Sequence, residues 1–371
     1  MNRASVSLVR CGAYTSPELE TAVDRAVRHL GGIEKFITAN DRVLIKPNLL
    51  SARKPEEGVN THPEFLRAVA RLAKTVTPTI VVGDSPGGWE LKEIDRVYET
   101  TGVKRICEEE GLRLVKFDAA VQREGFPIAA VCNEVDAIIS LPKLKSHSTT
   151  LLTGAVKNMF GMVVGLAKAQ CHLRSPMPAK FAPVLAKVYG LVKPVLSIMD
   201  GVVGMEGEGP AAGTLRNFGL ILASADAVAL DAVLARLIGI DPLKILTTAE
   251  AAKAGHGIAD LSRIDIYGEQ PGDVAIRNFK WPKTSYLYNI PSPLISMGLK
   301  AVRFFPYIRQ KLCQRCELCF KICPKHAIIK KADGSFWVVR HECIHCYCCY
   351  EVCPHKAIVL KKSLLAKMLM R

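Results

Sequence analysis

The strongest constraint on this chain is a cysteine word written twice near its C-terminus. Residues 313–324 read Cys-x2-Cys-x2-Cys-x3-Cys-Pro through Cys313, Cys316, Cys319, Cys323 and Pro324, and the word returns as Cys343, Cys346, Cys349, Cys353 and Pro354. The repetition runs past the cysteines, since Cys-Pro-Lys-His-Ala-Ile at 323–328 is answered by Cys-Pro-His-Lys-Ala-Ile at 353–358. Soft thiolates at this spacing wrap three corners of an iron–sulfur cube in a tight loop. The fourth, followed by a chain-turning proline, reaches the other cube. The spacing therefore assigns Cys313, Cys316, Cys319 and Cys353 to one 4Fe-4S cluster, and Cys343, Cys346, Cys349 and Cys323 to a second. A disulfide framework does not suit a chain without an export signal. Structural zinc sites pair Cys-x2-Cys knuckles and do not set three cysteines in a row ahead of Cys-Pro.

Between the two words, residues 327–331 and 335–339 flank Asp333-Gly334, a turn dipeptide that predicts a hairpin. The whole segment, 307–362, resembles a bacterial-type two-cluster ferredoxin domain. Cys348 falls off the ligand spacing and reads as a packed free thiol. Charge is skewed the same way as cysteine. Of a net +15, residues 300–371 carry fifteen Lys and Arg against four Asp and Glu, so most of the excess sits in the last fifth of the chain.

The preceding residues alternate short β-branched or apolar runs with helical patterns, which predicts an α/β domain: a mostly parallel sheet flanked by helices, followed by the α+β cysteine domain. Strands are predicted at 6–10, 42–46, 79–83, 112–117, 136–141, 195–199, 218–223 and 264–267. A first helix is expected with Ser16 as its cap, Pro17 in its first turn and Gly31-Gly32 as its stop, and another over 225–238. The division is then an α/β domain over 1–275, a connector over 276–306, the cysteine domain over 307–362 and a basic tail over 363–371. The connector holds Trp281, Tyr286, Tyr288, Phe304 and Phe305, with Lys300 and Arg303. Packing between the domains is the favoured reading of these apolar residues, ahead of peripheral contact with a membrane surface. No uncharged apolar run is long enough to span a membrane, and no leader is evident at the start, so a cytoplasmic setting is expected.

Four polar words follow predicted strands: Lys46-Pro47-Asn48; Gly83 to Gly88 with Asp84 and Ser85; Pro142 to His147 with Lys143 and Lys145; and Asp200-Gly201 with Met205 to Pro210. In open α/β sheets that edge collects ligands, because loops converge there and helix N-termini point into the crevice. Lys46, Lys143, Lys145 and Lys157 offer four ammonium groups, and Asn48, Ser85 and Asn158 offer neutral hydrogen-bonding groups, a set suited to carboxylate or phosphate. His147 and His172 add titratable rings. Asp84, Asp200, Glu206 and Glu208 are candidate acid–base groups or ligands for a hard cation. Each residue taken singly has an ordinary reading, as a solvated lysine, a structural histidine or a turn; the convergence of four words on one edge points to a site. Gly83 to Gly88 carries neither the dinucleotide fingerprint nor the Walker lysine.

Taken in order, Lys-Pro-Asn, Gly-Asp-Ser-Pro-Gly, Leu-Pro-Lys-x-Lys-x-His, Thr-Gly-x-x-Lys-Asn and Met-Glu-Gly-x-Gly-Pro resemble the domain-of-unknown-function family three hundred and sixty-two over roughly residues 40–270. The resemblance implies an α/β domain coupled to iron–sulfur clusters. It places Lys46, Asn48, Asp84, Lys143, Lys145, His147, Lys157, Asn158, His172, Asp200 and Glu206 at motif positions.

The leading functional expectation is an iron–sulfur oxidoreductase. Two 4Fe-4S clusters pass electrons from an acidic soluble carrier, a ferredoxin or flavodoxin, to an anionic small molecule in the crevice. Its lysines neutralise charge, while His147 or an acid such as Asp84, Asp200 or Glu206 moves protons. A non-catalytic electron-transfer or assembly subunit that docks on a partner is the first alternative, and a lyase or isomerase with structural clusters the second. Nucleic acid is not an expected partner, because basic charge alone accompanies no binding motif.

Overall fold

The computed structural model describes residues 3–87, 91–285 and 303–369. Gly88, the connector residues Tyr286, Tyr288 and Lys300, and the last two residues of the tail lie outside the described residues. All eight predicted runs form strands, and four more appear among them. In chain order they are β1 (Ala4–Arg10), β2 (Val43–Pro47), β3 (Ile80–Val82), β4 (Arg113–Leu114), β5 (Ala120–Arg123), β6 (Phe126–Ala129), β7 (Ala137–Leu141), β8 (Lys143–His147), β9 (Leu151–Leu152), β10 (Leu196–Glu206), β11 (Thr214–Ser224) and β12 (Ile264–Gly268). The main sheet runs β12-β1-β11-β10-β7-β2-β3-β4, with β8 paired to β10 and β9 to β8. Most of its pairings are parallel; β11 is antiparallel to both β1 and β10.

The alternation along these strands sends successive side chains to opposite faces. Val43, Ile45, Ile139, Ile198 and Ile221 join one core with α1 (Glu18–Arg28), α2 (Pro63–Lys74), α3 (Leu91–Thr100) and α4 (Val103–Glu109). Leu44, Ile138, Met199, Leu220 and Leu222 join the other with α5 (Gly154–Asn158), α7 (Pro178–Leu191), α8 (Ala227–Ile238) and α9 (Leu246–Lys253), and α6 (Ala167–Arg174) packs at its margin. Both faces are thereby covered, as a mostly parallel sheet requires.

Three local expectations are corrected. Pro17, not Ser16, stands at the N-cap of α1; the Ser16 hydroxyl donates to Glu20 Oε1 at 3.0 Å, a carboxylate acceptor that takes it away from the helix end. The Lys143 to His147 word is not a loop. It forms β8, in register with β10 through Asp200↔Lys143 and Met205↔Lys145. Met205 and Glu206 belong to β10 itself, which runs eleven residues beside an equally long β11 and shifts register between Gly201 and Val203. Cross-strand pairing outweighs the turn preference of the glycines.

In the C-terminal domain, β13 (Phe304–Ile308) pairs with β16 (Ile358–Lys362), and β14 (Ile328–Lys330) forms a hairpin with β15 (Phe336–Val338). Each cysteine word ends in a one-turn helix, α10 (Leu318–Ile322) and α11 (Cys348–Val352), entered through a left-handed residue, Glu317 at φ 66° and Tyr347 at φ 61°. A short α12 (Leu364–Leu369) follows β16. The two domains touch directly. Arg53 Nη2 donates to the Cys353 carbonyl at 2.8 Å, Lys356 Nζ lies 3.5 Å from Glu57, and the Tyr350 hydroxyl donates to the Glu208 carbonyl. From the connector, Trp281 packs edge-on against Phe279, and Phe304 is buried in the C-terminal core. Among the described residues no helix is long and apolar enough to cross a membrane.

Candidate functional site

Eight of the nine C-terminal cysteines face two small cavities, each of about 340 Å³ of empty space. Cys313, Cys316, Cys319 and Cys353 line one, with Ile308, Phe336 and Ile358. Cys323, Cys343, Cys346 and Cys349 line the other, with Ile328, Val338 and Tyr347. No cysteine is in a disulfide. Among the described residues no three His, Cys, Asp or Glu side chains converge as the ligands of one metal ion would. The thiols surround a volume, not a point, which suits a cube of iron and sulfide better than a single zinc. The apolar walls exclude water from that volume, and the Ala327 N–H donates to Cys323 Sγ at 3.2 Å, a contact that orients a ligating sulfur.

The lysines of the α/β domain fall into two groups. Lys143 is locked: its Nζ lies 2.7 Å from Asp200 Oδ2 and 2.8 Å from the Tyr14 hydroxyl. Tyr14 donates to Asp200 Oδ1 at 2.7 Å, and the His62 N–H donates to Asp200 Oδ2 at 3.0 Å. The β8–β10 register makes Lys143 and Asp200 neighbours, and burial lowers the lysine's pKa against the pull of Asp200. Glu206 is likewise engaged at a distance from the crevice, 3.1 Å from Arg216 Nη1 and 3.8 Å from Lys280 Nζ. Glu208 accepts from the Lys283 N–H at 2.9 Å.

The second group surrounds a crevice that opens to solvent, with about 770 Å³ of empty space counting the open solvent at its mouth. Asn48, Asp84, Ser85, Lys157, Asn158 and His172 line it. Lys46 stands behind this wall, 2.8 Å from Asp84 Oδ1, and the Leu49 N–H donates to Asp84 Oδ2 at 2.8 Å. Gly161 is required here, since a Cβ would come within 2.3 Å of Asp84 Oδ1 and 2.7 Å of Lys46 Nζ. Asn48 Nδ2 donates to Asn158 Oδ1 at 3.0 Å, and Asn158 Nδ2 to Ser140 Oγ at 2.9 Å. Lys145 donates to the Val59 carbonyl at 2.6 Å; burial, and then the charge of Lys157, pull its pKa down to about 7. His172 stacks on Phe181 with centroids 4.1 Å apart, and burial followed by Lys157 lowers its pKa to about 3. It is a neutral ring at physiological pH.

The crevice is closed on its remaining side by the cysteine domain. Ile322 of α10 and Cys348, Glu351 and Val352 of α11 complete its lining. The buried Cys348 thiol hydrogen-bonds Cys346 and lines this crevice, not either cysteine cavity. Glu351 Oε1 lies 3.3 Å from His147 Nε2. His147 Nδ1 accepts from the Thr149 N–H at 3.0 Å, so the neutral ring carries its proton on Nε2, facing Glu351. Burial, then Lys157 and Lys145, hold His147 well below the usual histidine range.

Lys168 and Thr153 also line the crevice, although the sequence did not single them out. Lys168 Nζ donates to Ser85 Oγ at 2.7 Å, to the Pro86 carbonyl at 2.9 Å and to the Ser85 carbonyl, and burial lowers its pKa to about 7. Its signal was available, since Lys168 and His172 are four apart on α6 and share a face. Glu351 carried no such signal, being some two hundred residues from the lysines it faces. Thr153 Oγ1, in a side chain only 3% exposed, has no hydrogen-bond partner among the described residues, and neither does Asn48 Oδ1 or Glu351 Oε1. Orphaned buried polar atoms are costly unless something else meets them. Lys157 makes no ion pair or hydrogen bond among the described residues.

Comparisons with known proteins bear on both halves. The model of a family described as domain of unknown function (DUF362) matches residues 43–236, and that of a 4Fe-4S dicluster domain matches residues 312–358. The chain is 33% identical over 286 residues to the thylakoid-associated protein sll1697 of Synechocystis sp., covering 75% of this chain and 88% of that one. Among solved structures, a protein from Thermotoga maritima aligns at 11% identity and TM-score 0.38, over 66% of this chain and 60% of its own. The lactate racemase apoprotein from Thermoanaerobacterium thermosaccharolyticum aligns at 11% identity and TM-score 0.37, over 61% and 55%. With a family match across half its length and a 4Fe-4S domain behind it, this chain is an iron–sulfur protein and belongs to the DUF362 family.

Proposed function

We propose that this protein is an oxidoreductase in which two 4Fe-4S clusters, one in each cysteine cavity, deliver electrons to an anionic substrate or cofactor in the crevice. One observation carries the reading: α11 supplies Cys349 to one cavity, the residue that caps it, Cys353, lines the other, and Cys348, Glu351 and Val352 of the same turn form a wall of the lysine-lined crevice. When bound, each cluster supplies one electron at low potential. The protein's own residues do the rest. Lys157, which makes no hydrogen bond or ion pair among the described residues, neutralises the anion; Asn48, Thr153 and Asn158 orient it; Lys168 fixes the Ser85 loop; His147 holds a proton on Nε2 behind Glu351. Lys46 and Asp84 brace the floor, while Lys143, Asp200 and Glu206 act as structural ion pairs away from the ligand.

Electrons enter at the basic C-terminal domain from an acidic carrier of the ferredoxin or flavodoxin kind. Leu312, Phe320, Ile329 and Trp337 stand exposed in a domain that also carries Lys311, Arg315, Lys321, Lys330 and Lys331, and Ile329 and Trp337 are cross-strand neighbours with Lys331 over the Trp337 ring. None of the thirteen cysteines is in a disulfide, which suits the reducing cytoplasm.

The test is anaerobic purification with iron and sulfide counted, followed by a redox titration read by electron paramagnetic resonance. Two reversibly reducible centres are expected, with reoxidation accelerated by an anion from a screened set. Lys157→Met should lose at least about tenfold of that acceleration while keeping both centres. Unchanged reoxidation in Lys157→Met would remove the crevice from the reaction. Centres that cannot be reduced reversibly would instead favour lyase or isomerase chemistry beside structural clusters.

A further inference from the structure

A buried cation crosses from the α/β domain to the cysteine domain. Arg53, on the loop after β2, is 3% exposed. Its Nη2 donates to the carbonyl of Cys353 at 2.8 Å and its Nη1 to Glu57 Oε1 at 2.8 Å, while the buried Nε–H finds no acceptor among the described residues. The loop that carries it is pinned. Asn60 Oδ1 accepts from the Leu50 N–H at 2.7 Å, and Asn60 Nδ2 donates to the Ser51 carbonyl at 3.1 Å and the Arg53 carbonyl at 3.4 Å. The guanidinium is therefore a fixed charge and not a swinging surface group. Its counter-ion Glu57 is about one-third exposed and is shared with Lys356 at 3.5 Å, so solvent weakens the compensation.

Cys353 lines the cavity of Cys313, Cys316 and Cys319. Its counterpart in the sequence repeat, Cys323, has a carbonyl that accepts the local His326 N–H at 3.1 Å, where the Cys353 carbonyl accepts the Arg53 guanidinium. The contact from that domain near the second cavity is apolar, Ala169 packing with Cys346 and Ile322. The two repeats are alike in sequence, but the cation at the first, Arg53, comes from the α/β domain and bonds the Cys353 carbonyl, whereas the one acting on Cys343 of the second, Arg303, immediately precedes β13, the strand just before the cysteine words.

We propose that Arg53 tunes the reduction potential of the cluster held by Cys313, Cys316, Cys319 and Cys353, making it easier to reduce than the cysteine domain alone would. The proposal rests on the two-cluster reading above. Reduction adds an electron to an already anionic cube, and a permanent cation in a low-dielectric setting favours the more negative state. Arg53 is in these terms a positioning and tuning residue. It makes the two clusters inequivalent and ties that difference to the loop bearing Asn48 and Leu50 of the crevice.

The experiment is a potentiometric titration of the full-length, cluster-loaded protein, followed by electron paramagnetic resonance. Cys313→Ser and Cys343→Ser identify which signal belongs to which centre. Arg53→Met should lower the reduction equilibrium constant of the Cys313-marked centre about tenfold, about 59 mV for a one-electron step, and leave the other within about twofold. Arg53→Lys should fall between wild type and Met. Glu57→Gln, which removes the counter-charge, should move the same centre the opposite way. Unmoved midpoints in Arg53→Met with full iron and sulfide would overturn the proposal, as would displacement of the Cys343-marked centre alone. Should Arg53→Met fail to load, an unmoved midpoint in both Arg53→Lys and Glu57→Gln would overturn it. A wild-type protein with only one reducible centre would instead defeat the two-cluster reading, a distinguishable failure.

Discussion

At the scale of single residues, two lysines that look alike in the sequence have opposite roles. Lys143 and Asp200 form a buried pair that is also bonded to Tyr14, whereas Lys157 makes no hydrogen bond or ion pair among the described residues, feels the charges of Glu351 and Cys348, and lines the crevice. Removing one member of a buried ion pair strands the other, at a cost of about 3–5 kcal/mol. Lys143→Met is therefore expected to lower unfolding stability by about that amount in urea titrations, and Lys157→Met to change it by less than about 1 kcal/mol. Equal losses in the two variants would contradict the division. The sequence showed both as lysines in polar words after strands, and nothing in either word revealed which had a counter-ion. Asp200 lies nearly sixty residues from Lys143 and becomes its neighbour only through strand register. The cysteines were legible for the opposite reason, because their spacing is local and their chemistry demands it.

At the scale of elements, α5 shows how a five-residue helix can hold a functional side chain in place. Asp231 of α8 accepts from the Ala155 N–H at 2.6 Å and the Val156 N–H at 3.0 Å, so a buried carboxylate anchors the turn that presents Lys157 and Asn158. Gly154 allows this. Its φ of +66° favours glycine, and a Cβ would sit 2.6 Å from Asp231 Oδ2. Burial raises Asp231 from its ordinary 3.8 to about 7, against the pull of the two N–H groups. The folded state then keeps a proton that the unfolded state has released, so this group's contribution to stability is full below about pH 4 and is lost as pH rises toward 7. Asp231→Asn should flatten that decline, seen as a smaller difference in urea midpoint between about pH 5.5 and 7.5 than in wild type. The strands around this site were readable as short β-branched or apolar runs, since each is buried on both faces. β8 and the second half of β10 were not, because their lysines, serine and glycines read as loop until the paired strand supplies partners.

At the scale of the whole molecule, charge separates function along the chain. Residues 300–371 carry most of the net +15, and on the hairpin the exposed Ile329 and Trp337 are direct cross-strand partners, with Lys331 Nζ 4.4 Å from the centre of the Trp337 ring. Docking of an acidic carrier on this face should depend steeply on salt. The rate of reduction by such a carrier is expected to fall at least about fivefold between about 0.05 and 0.5 M salt, and Lys330→Glu with Lys331→Glu should reproduce that fall at low salt. A salt-independent rate would place entry elsewhere. The turn from α11 into its cap joins this domain to the crevice, since Cys349 and Cys353 line the two cysteine cavities while Cys348, Glu351 and Val352 form part of the crevice wall. One consequence concerns nutrition. In a cell starved of iron, newly made chains have nothing to gather those cysteines around, and the wall they support loses its footing. On the proposed reading, capture of the ligand would then be conditional on metal supply, and chains that lack the means to transform it would not hoard it.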